Sequence, residues 1–450
     1  METTLNYINT SMQNFSRIGI IEEKQNTASE YFARNGFSFR QDEVWRFVDF
    51  SAFLNDSLNI PNATDNHSFE FKCNIPHLDT TRLTLVNGYV STETELVVTE
   101  QGVIMGSLRK AIDQYPELVA KYFGECCKKD NSFLAINTAM FTDGFFIYVP
   151  DNVEIKKPIQ ILDVIKSQTP MFLQTRNLIY VGKNSRITFI HCDDSYNANR
   201  SFSNNVTEMF IDEYAHVEHY KMQNMNNVSG LLNHNYITMQ QSASLISNSI
   251  TLNGGNIRNH NEVRMLGEHC DTQMHGLYIM DKEQRTDNYV YVEHAFPNCT
   301  SNELFKGILD DSAHAIFNGH VLVSEGATKT DASQSNKNIL LTDKAIVDSK
   351  PFLEIYNDDV KCSHGSTIGQ LDETALFYIR SRGISERNAK TLLMYAFCDE
   401  VIQKITIEAL RERLSDMVKK RLHGELTVCD ECALHCSVQD CKFEIDVTKI

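Results

Sequence analysis

A turn, a small residue and an alternating strand recur as one unit through the middle of this chain, and no other feature limits its fold as tightly. Tyr180-Val181-Gly182-Lys183-Asn184-Ser185-Arg186-Ile187-Thr188-Phe189 sets the pattern, and residues 210–219, 308–317 and 340–348 repeat it. Runs rich in Val, Ile, Phe, Tyr and Thr, punctuated by Asn, Asp and Gly, predict many brief strands. Strands recurring at a spacing of roughly 20 to 50 residues, with no helix between them, predict a β-solenoid. A β-sandwich is the alternative. It ranks lower because stacking of equivalent coils selects for a unit that keeps its internal pattern.

The chain divides around this repeat. Residues 1–130 read as mostly helical, with Asn35-Gly36 as a helix stop, a helix over 108–123, and the single tryptophan, Trp45, as a core anchor. Residues 131–365 form the predicted β core. In 366–425 the period turns helical: Asp372 caps one segment that Gly383 stops, and Ser385 caps the next. A third segment carries Ile402, Ile405, Leu410, Leu414, Met417 and Leu422 at helical spacing. That stripe either packs on the solenoid end or, in part, docks another protein. Residues 426–450 form a cysteine-bearing tail.

With 450 residues, 42% apolar and 22% charged, this is an ordinary globular composition, and the formal net charge of -17 argues against a nucleic-acid partner. No secretory signal or membrane span is visible, which predicts a cytoplasmic protein whose 12 cysteines are thiols or metal ligands, not disulfides.

Cys362-Ser363-His364 sets a thiol and an imidazole two residues apart, and on a strand such residues share a face. Both suit iron, zinc or copper. The tail adds Cys429, Cys432, Cys436 and Cys441, a second candidate metal set containing Cys-x-x-Cys. His216 and His219 point to opposite sides if their segment is a strand, so they make no joint site. His234, His260, His269, His275, His294, His314 and His320 read as ordinary histidines on solenoid faces. The stretch Gly326-Ala327-Thr328-Lys329-Thr330 lacks the order of a phosphate loop, so the chain shows no nucleotide site.

Several ordered stretches carry a resemblance. They are Asp42-Glu43-Val44-Trp45-Arg46, residues 135–150 and 157–160, Phe317-Asn318-Gly319, Lys329-Thr330-Asp331-Ala332-Ser333-Gln334-Ser335-Asn336, residues 350–355, Asp358-Asp359-Val360-Lys361-Cys362-Ser363-His364-Gly365 and residues 376–384. In these the chain resembles the SufB/SufD family, scaffold subunits of the Suf iron–sulfur cluster assembly machinery. The resemblance implies a mainly β protein, a right-handed parallel β-helix flanked by N- and C-terminal helical domains. It implies a scaffold without ATPase activity that pairs with SufB through the β-helix, with a homodimer as an option for the isolated chain. The C-terminal helices would dock the ATPase SufC. Cys362 and His364 would lie near the SufB interface, holding iron or a transient iron–sulfur cluster. Ser335 and Gly365 stand where SufB carries a sulfur-accepting cysteine and a glutamate, which marks the D-type partner. Two rivals are a purely structural adaptor that ligates nothing and, less favoured, a carbohydrate-active β-helix enzyme, which a single tryptophan and the lack of an export signal disfavour.

Overall fold

The structure is a computed structural model that describes residues 2–37, 43–50, 53, 59–61, 75–91, 96–127, 131–197 and 199–423. Among these residues two sheets of ten strands each enclose a common interior. One begins at the hairpin of Thr81–Val86 and Tyr89–Val90 and ends at Lys361–Gly369. The other begins at Leu96–Val98 and Ile104–Ser107 and ends at Ile346–Ile355. From Phe145–Val149 onward the chain alternates between the sheets, and successive coils pair in parallel. Arg186 is thus level with His216, Ser244, Asp271, Thr300, Asp331 and Lys361. The expected parallel solenoid is what the chain forms.

The repeated turn explains why these residues build coils. Asn184, Tyr214 and Asp311 adopt positive φ of 54°, 59° and 49°, reversing the chain in one step. A small residue one or two positions further on, Ser185, Ala215 or Ala313, is buried at the corner, where a larger side chain would hold successive coils apart. Ser185 also bonds the coil below, its Oγ donating to the Pro150 carbonyl at 2.6 Å and accepting from the Val153 N–H at 2.9 Å.

Helices cover the two flanks. On one lie α1 (Glu2–Asn14), α2 (Glu22–Asn35), α3 (Leu108–Gln114), α4 (Pro116–Tyr122) and α5 (Ser132–Met140). Here Trp45, Phe50, Phe53 and Phe133 pack on Phe172, Phe202 and Leu232 of one sheet, so Trp45 is the core anchor expected of it. Gly36, with φ 54°, ends α2. On the other flank lie α6 (Glu373–Ser381), α7 (Glu386–Ile402) and α8 (Glu408–Leu422), with Asp372 and Ser385 accepting the predicted capping bonds. No helix of the described residues is long and apolar enough to cross a membrane.

Three local expectations need correction. The helix over 108–123 is two helices, because Pro116 lacks the N–H that continuation needs and instead opens α4. Residues 1–130 are not only helical: they supply the antiparallel strands at the head of both sheets. One of those hairpins turns at Asn87-Gly88, both at positive φ, a hairpin signal present in the sequence. Residues 131–140 are mostly the helix α5, so the core strands begin later, at Phe145.

Candidate functional site

The solenoid interior is buried coil after coil until the last one. Along Asp331–Leu340, Ala332, Gln334 and Asn336 are buried and alternate with more open neighbours, so these three face inward. Cys362 is level with Ala332 and His364 with Gln334, which puts both side chains on the inward face of the final strand. Cys362 is half-buried and packs with the cluster of Val321, Val323, Ala327 and Ala332. His364 is open to solvent, since among the described residues no further coil lies above it. Burial pushes the Cys362 thiol up, partly offset by a backbone bond at Ala332, so at neutral pH it is a protonated thiol. Ser335 and Gly365 are level with each other on the adjoining face.

The last coil is also where apolar surface is left bare. Ile346, Phe352, Ile355, Tyr356 and Ile368 are exposed, and among the described residues the outer edges of both terminal strands carry no further strand. The C-terminal helices divide into a packed and an open part. Ile402, Ile405, Leu410, Leu414 and Met417 are buried against Tyr220, Ile250, Leu277 and Ile308 on the flank of the solenoid, so the predicted stripe packs inward and on the flank, not on the end. In contrast α6 buries no residue and exposes Phe377 at 74% and Tyr378 at 59%. Between α6, α7 and the solenoid runs an open groove of about 560 Å³ that includes Leu340, Leu371, Leu376 and Met394.

The structure assembles one cluster that the sequence reading did not single out. Ligand atoms of Asp163, His191 and Asp193 lie within 4.8 Å of one another inside the solenoid. This is a donor set that iron or zinc accepts. Its charge is already compensated, however, by Lys221, whose Nζ is 3.0 Å from Asp193 Oδ2. Burial and Asp193 push Asp163 up to about 7, with Lys221 opposing. For Asp193 burial acts upward, but Lys221 and His191 outweigh it and hold the carboxyl low. His191 is pushed down by burial and by Lys221 and is neutral. Asp193 thus already has a basic partner within the cluster. His191-x-Asp193 has the same two-residue spacing as Cys362-x-His364, which is the signal that would have flagged it.

His216 and His219 do diverge: His219 is buried in the interior, while His216 meets Ser244 Oγ at 3.2 Å and Glu218 at 3.3 Å. His314 and His320 pair with Asp348 and Glu354 at 2.7 and 3.0 Å. The Gly326 to Thr330 stretch is a solenoid corner, with positive φ at Gly326 and Lys329. Cys429, Cys432, Cys436 and Cys441 lie outside the described residues.

Comparison with known proteins agrees with this architecture. Residues 164–397 match the SufBD core domain of SUF system FeS cluster assembly, and residues 6–161 match the SufBD protein N-terminal region. The chain is 29% identical to an iron–sulfur cluster assembly SufBD family protein of Synechocystis, over 89% of this chain and 91% of that protein. It is 28% identical to the iron–sulfur cluster assembly protein SufD of Escherichia coli, over 87% and 90% of the two chains. With SufD of Bacillus subtilis the identity is 27%, over 72% and 75%. An unbroken parallel solenoid from Phe145 to Gly369, flanked by helices and matched along nearly its whole length, places the chain in the SufBD family of iron–sulfur cluster assembly proteins.

Proposed function

We propose that this chain is a non-ATPase scaffold subunit that pairs with a SufB-type subunit through the last coil of its solenoid and presents Cys362 and His364 to a nascent iron–sulfur cluster there. The carrying observation is that both ligand-type side chains share the inward face of the last coil, whose outer edges carry no further strand among the described residues. Unpaired edges recruit further strands, and the bare Phe352, Ile355 and Ile368 supply apolar area for a stable contact. The same surface would serve a homodimer of the isolated chain.

The cluster is cargo, not a resident cofactor. A thiolate and a neutral imidazole are the forms that bind it, so loading at Cys362 releases a proton and weakens as pH falls. ATP hydrolysis is assigned to a SufC-type partner docked on the exposed face of α6 and its groove, because the stripe of α7 and α8 is already covered. The seven described cysteines, all free thiols, suit a reducing cytoplasm.

One observation favours the rival in which the chain is a structural adaptor only: Cys362 packs among apolar side chains as an ordinary thiol does. Co-purification with SufB and SufC, followed by assay of iron and acid-labile sulfide, separates the two. Cys362→Ser and His364→Ala should leave the complex intact and lower its cluster yield. Undiminished yield from the double variant in an intact complex would leave the adaptor.

A further inference from the structure

Beneath the final coil a polar stack lies level with His364. His364 is level with Gln334, and Gln334 with Glu303, so the three follow one another up the inward face. Parallel strands are about 4.8 Å apart, within the reach of a long side chain. Glu303 and Gln334 are 1% and 2% exposed, and the Gln334 Nε2 donates to Glu303 Oε2 at 2.6 Å. With the amide in this orientation, Gln334 Oε1 is a buried acceptor with no hydrogen-bond partner.

An unpaired buried carbonyl oxygen is costly, so its retention calls for an explanation. The space around it is shaped to hold the amide. A Cβ at Gly319 would fall 2.3 Å from Gln334 Nε2, so a larger residue there would displace the amide from this position. His364, for its part, is exposed and makes no hydrogen bond to any described residue.

We infer that Gln334, oriented by Glu303, is the positioning residue for His364: its Oε1 accepts one imidazole N–H and leaves the other ring nitrogen with a lone pair facing the cluster site. Ligating histidines characteristically donate their second N–H to an oxygen in this way, which fixes tautomer and ring direction. The inference rests on the reading of Cys362 and His364 as the cluster-facing pair.

The test uses the full chain with ¹⁵N-labelled histidine, His364→Ala to assign the resonance, and Co²⁺ as the metal probe. In the wild type, His364 should populate one neutral tautomer and Co²⁺ should show thiolate charge-transfer absorption. Gln334→Leu should mix the tautomers and weaken Co²⁺ binding about 10- to 100-fold. Gln334→Asn, which withdraws the oxygen but keeps an amide, should do the same if the leucine variant misfolds, and Gln334→Glu should restore a single tautomer. An unchanged His364 tautomer in folded Gln334→Leu or Gln334→Asn overturns the inference. Co²⁺ absorption that ignores both His364→Ala and Cys362→Ser instead overturns the reading on which it rests, while the tautomer result still stands or falls separately.

Discussion

The two ends of the solenoid are built in opposite ways. At the head, short antiparallel hairpins close both sheets, and Leu83, Leu85, Val90 and Val103 are buried beneath them. At the tail, Ile346–Ile355 and Lys361–Gly369 are the last strands of their sheets and hold no buried residue. Both ends face the same difficulty, a row of unsatisfied backbone groups over an apolar interior. At the head the chain tapers each sheet to an edge strand of only two or three residues, whereas at the tail the sheets stop at strands of ten and nine residues, at the coil that carries Cys362 and His364. An end left open at that coil is where a partner's backbone and side chains would complete both the sheet and the site.

The largest effect should come from charging the open end. Phe352→Asp combined with Ile368→Asp should weaken pairing with SufB by at least about 100-fold, since each change desolvates a carboxylate in an apolar contact. The isolated chain should melt unchanged. Gel filtration and thermal denaturation read the two parts, and pairing that tolerates both carboxylates would break the comparison.

Stability should show the reverse asymmetry. Leu85→Ala at the closed head should cost about 2–5 kcal/mol, as a fully buried leucine does. Leu353→Ala on the half-buried last coil should cost well under half of that. Denaturant titration of the two variants checks it; equal losses would mean the ends do not differ energetically.

The buried acid below the open end gives a pH signature. Burial raises Glu303 from 4.5 to about 8, with the Gln334 bond opposing. Below about pH 4.5 the acid is neutral in both folded and unfolded chains. Between there and about 8 only the unfolded chain ionises, so stability falls with rising pH by at most about 1.4 kcal/mol per unit and then levels off. Glu303→Gln should remove this contribution to the slope. Identical pH–stability curves for the two proteins would show that Glu303 ionises normally.

Smallest of all should be the effect of Cys362→Ser on folding, within about 0.5 kcal/mol, because its coil is already open. A larger loss in denaturant titration would mark Cys362 as a core residue and favour the adaptor reading.

Much of this was legible in the chain before any coordinates. The corner turns announced themselves because each needs a positive-φ step and then a small residue, as at Asn184-Ser185 and Tyr214-Ala215. The pairing of Cys362 with His364 on one face follows from strand period alone. What stayed hidden depends on contacts between coils. Nothing local says that Asp163, His191, Asp193 and Lys221 meet, because stacking register brings them together. Gln334 and Glu303 are likewise ordinary polar residues until Gly319 opens space beside them. The helical stripe of Ile402 to Met417 was visible, but whether it meets solenoid or partner was a tertiary choice, and the flank took it.

Hydrogen–deuterium exchange of the full chain, with and without SufB, tests the difference between the two ends most directly. The account predicts that amides of residues 346–369 gain strong protection on binding while those of 81–107 are unchanged. Protection gained at 81–107 or along the helical flanks, with 346–369 exchanging as before, would contradict it.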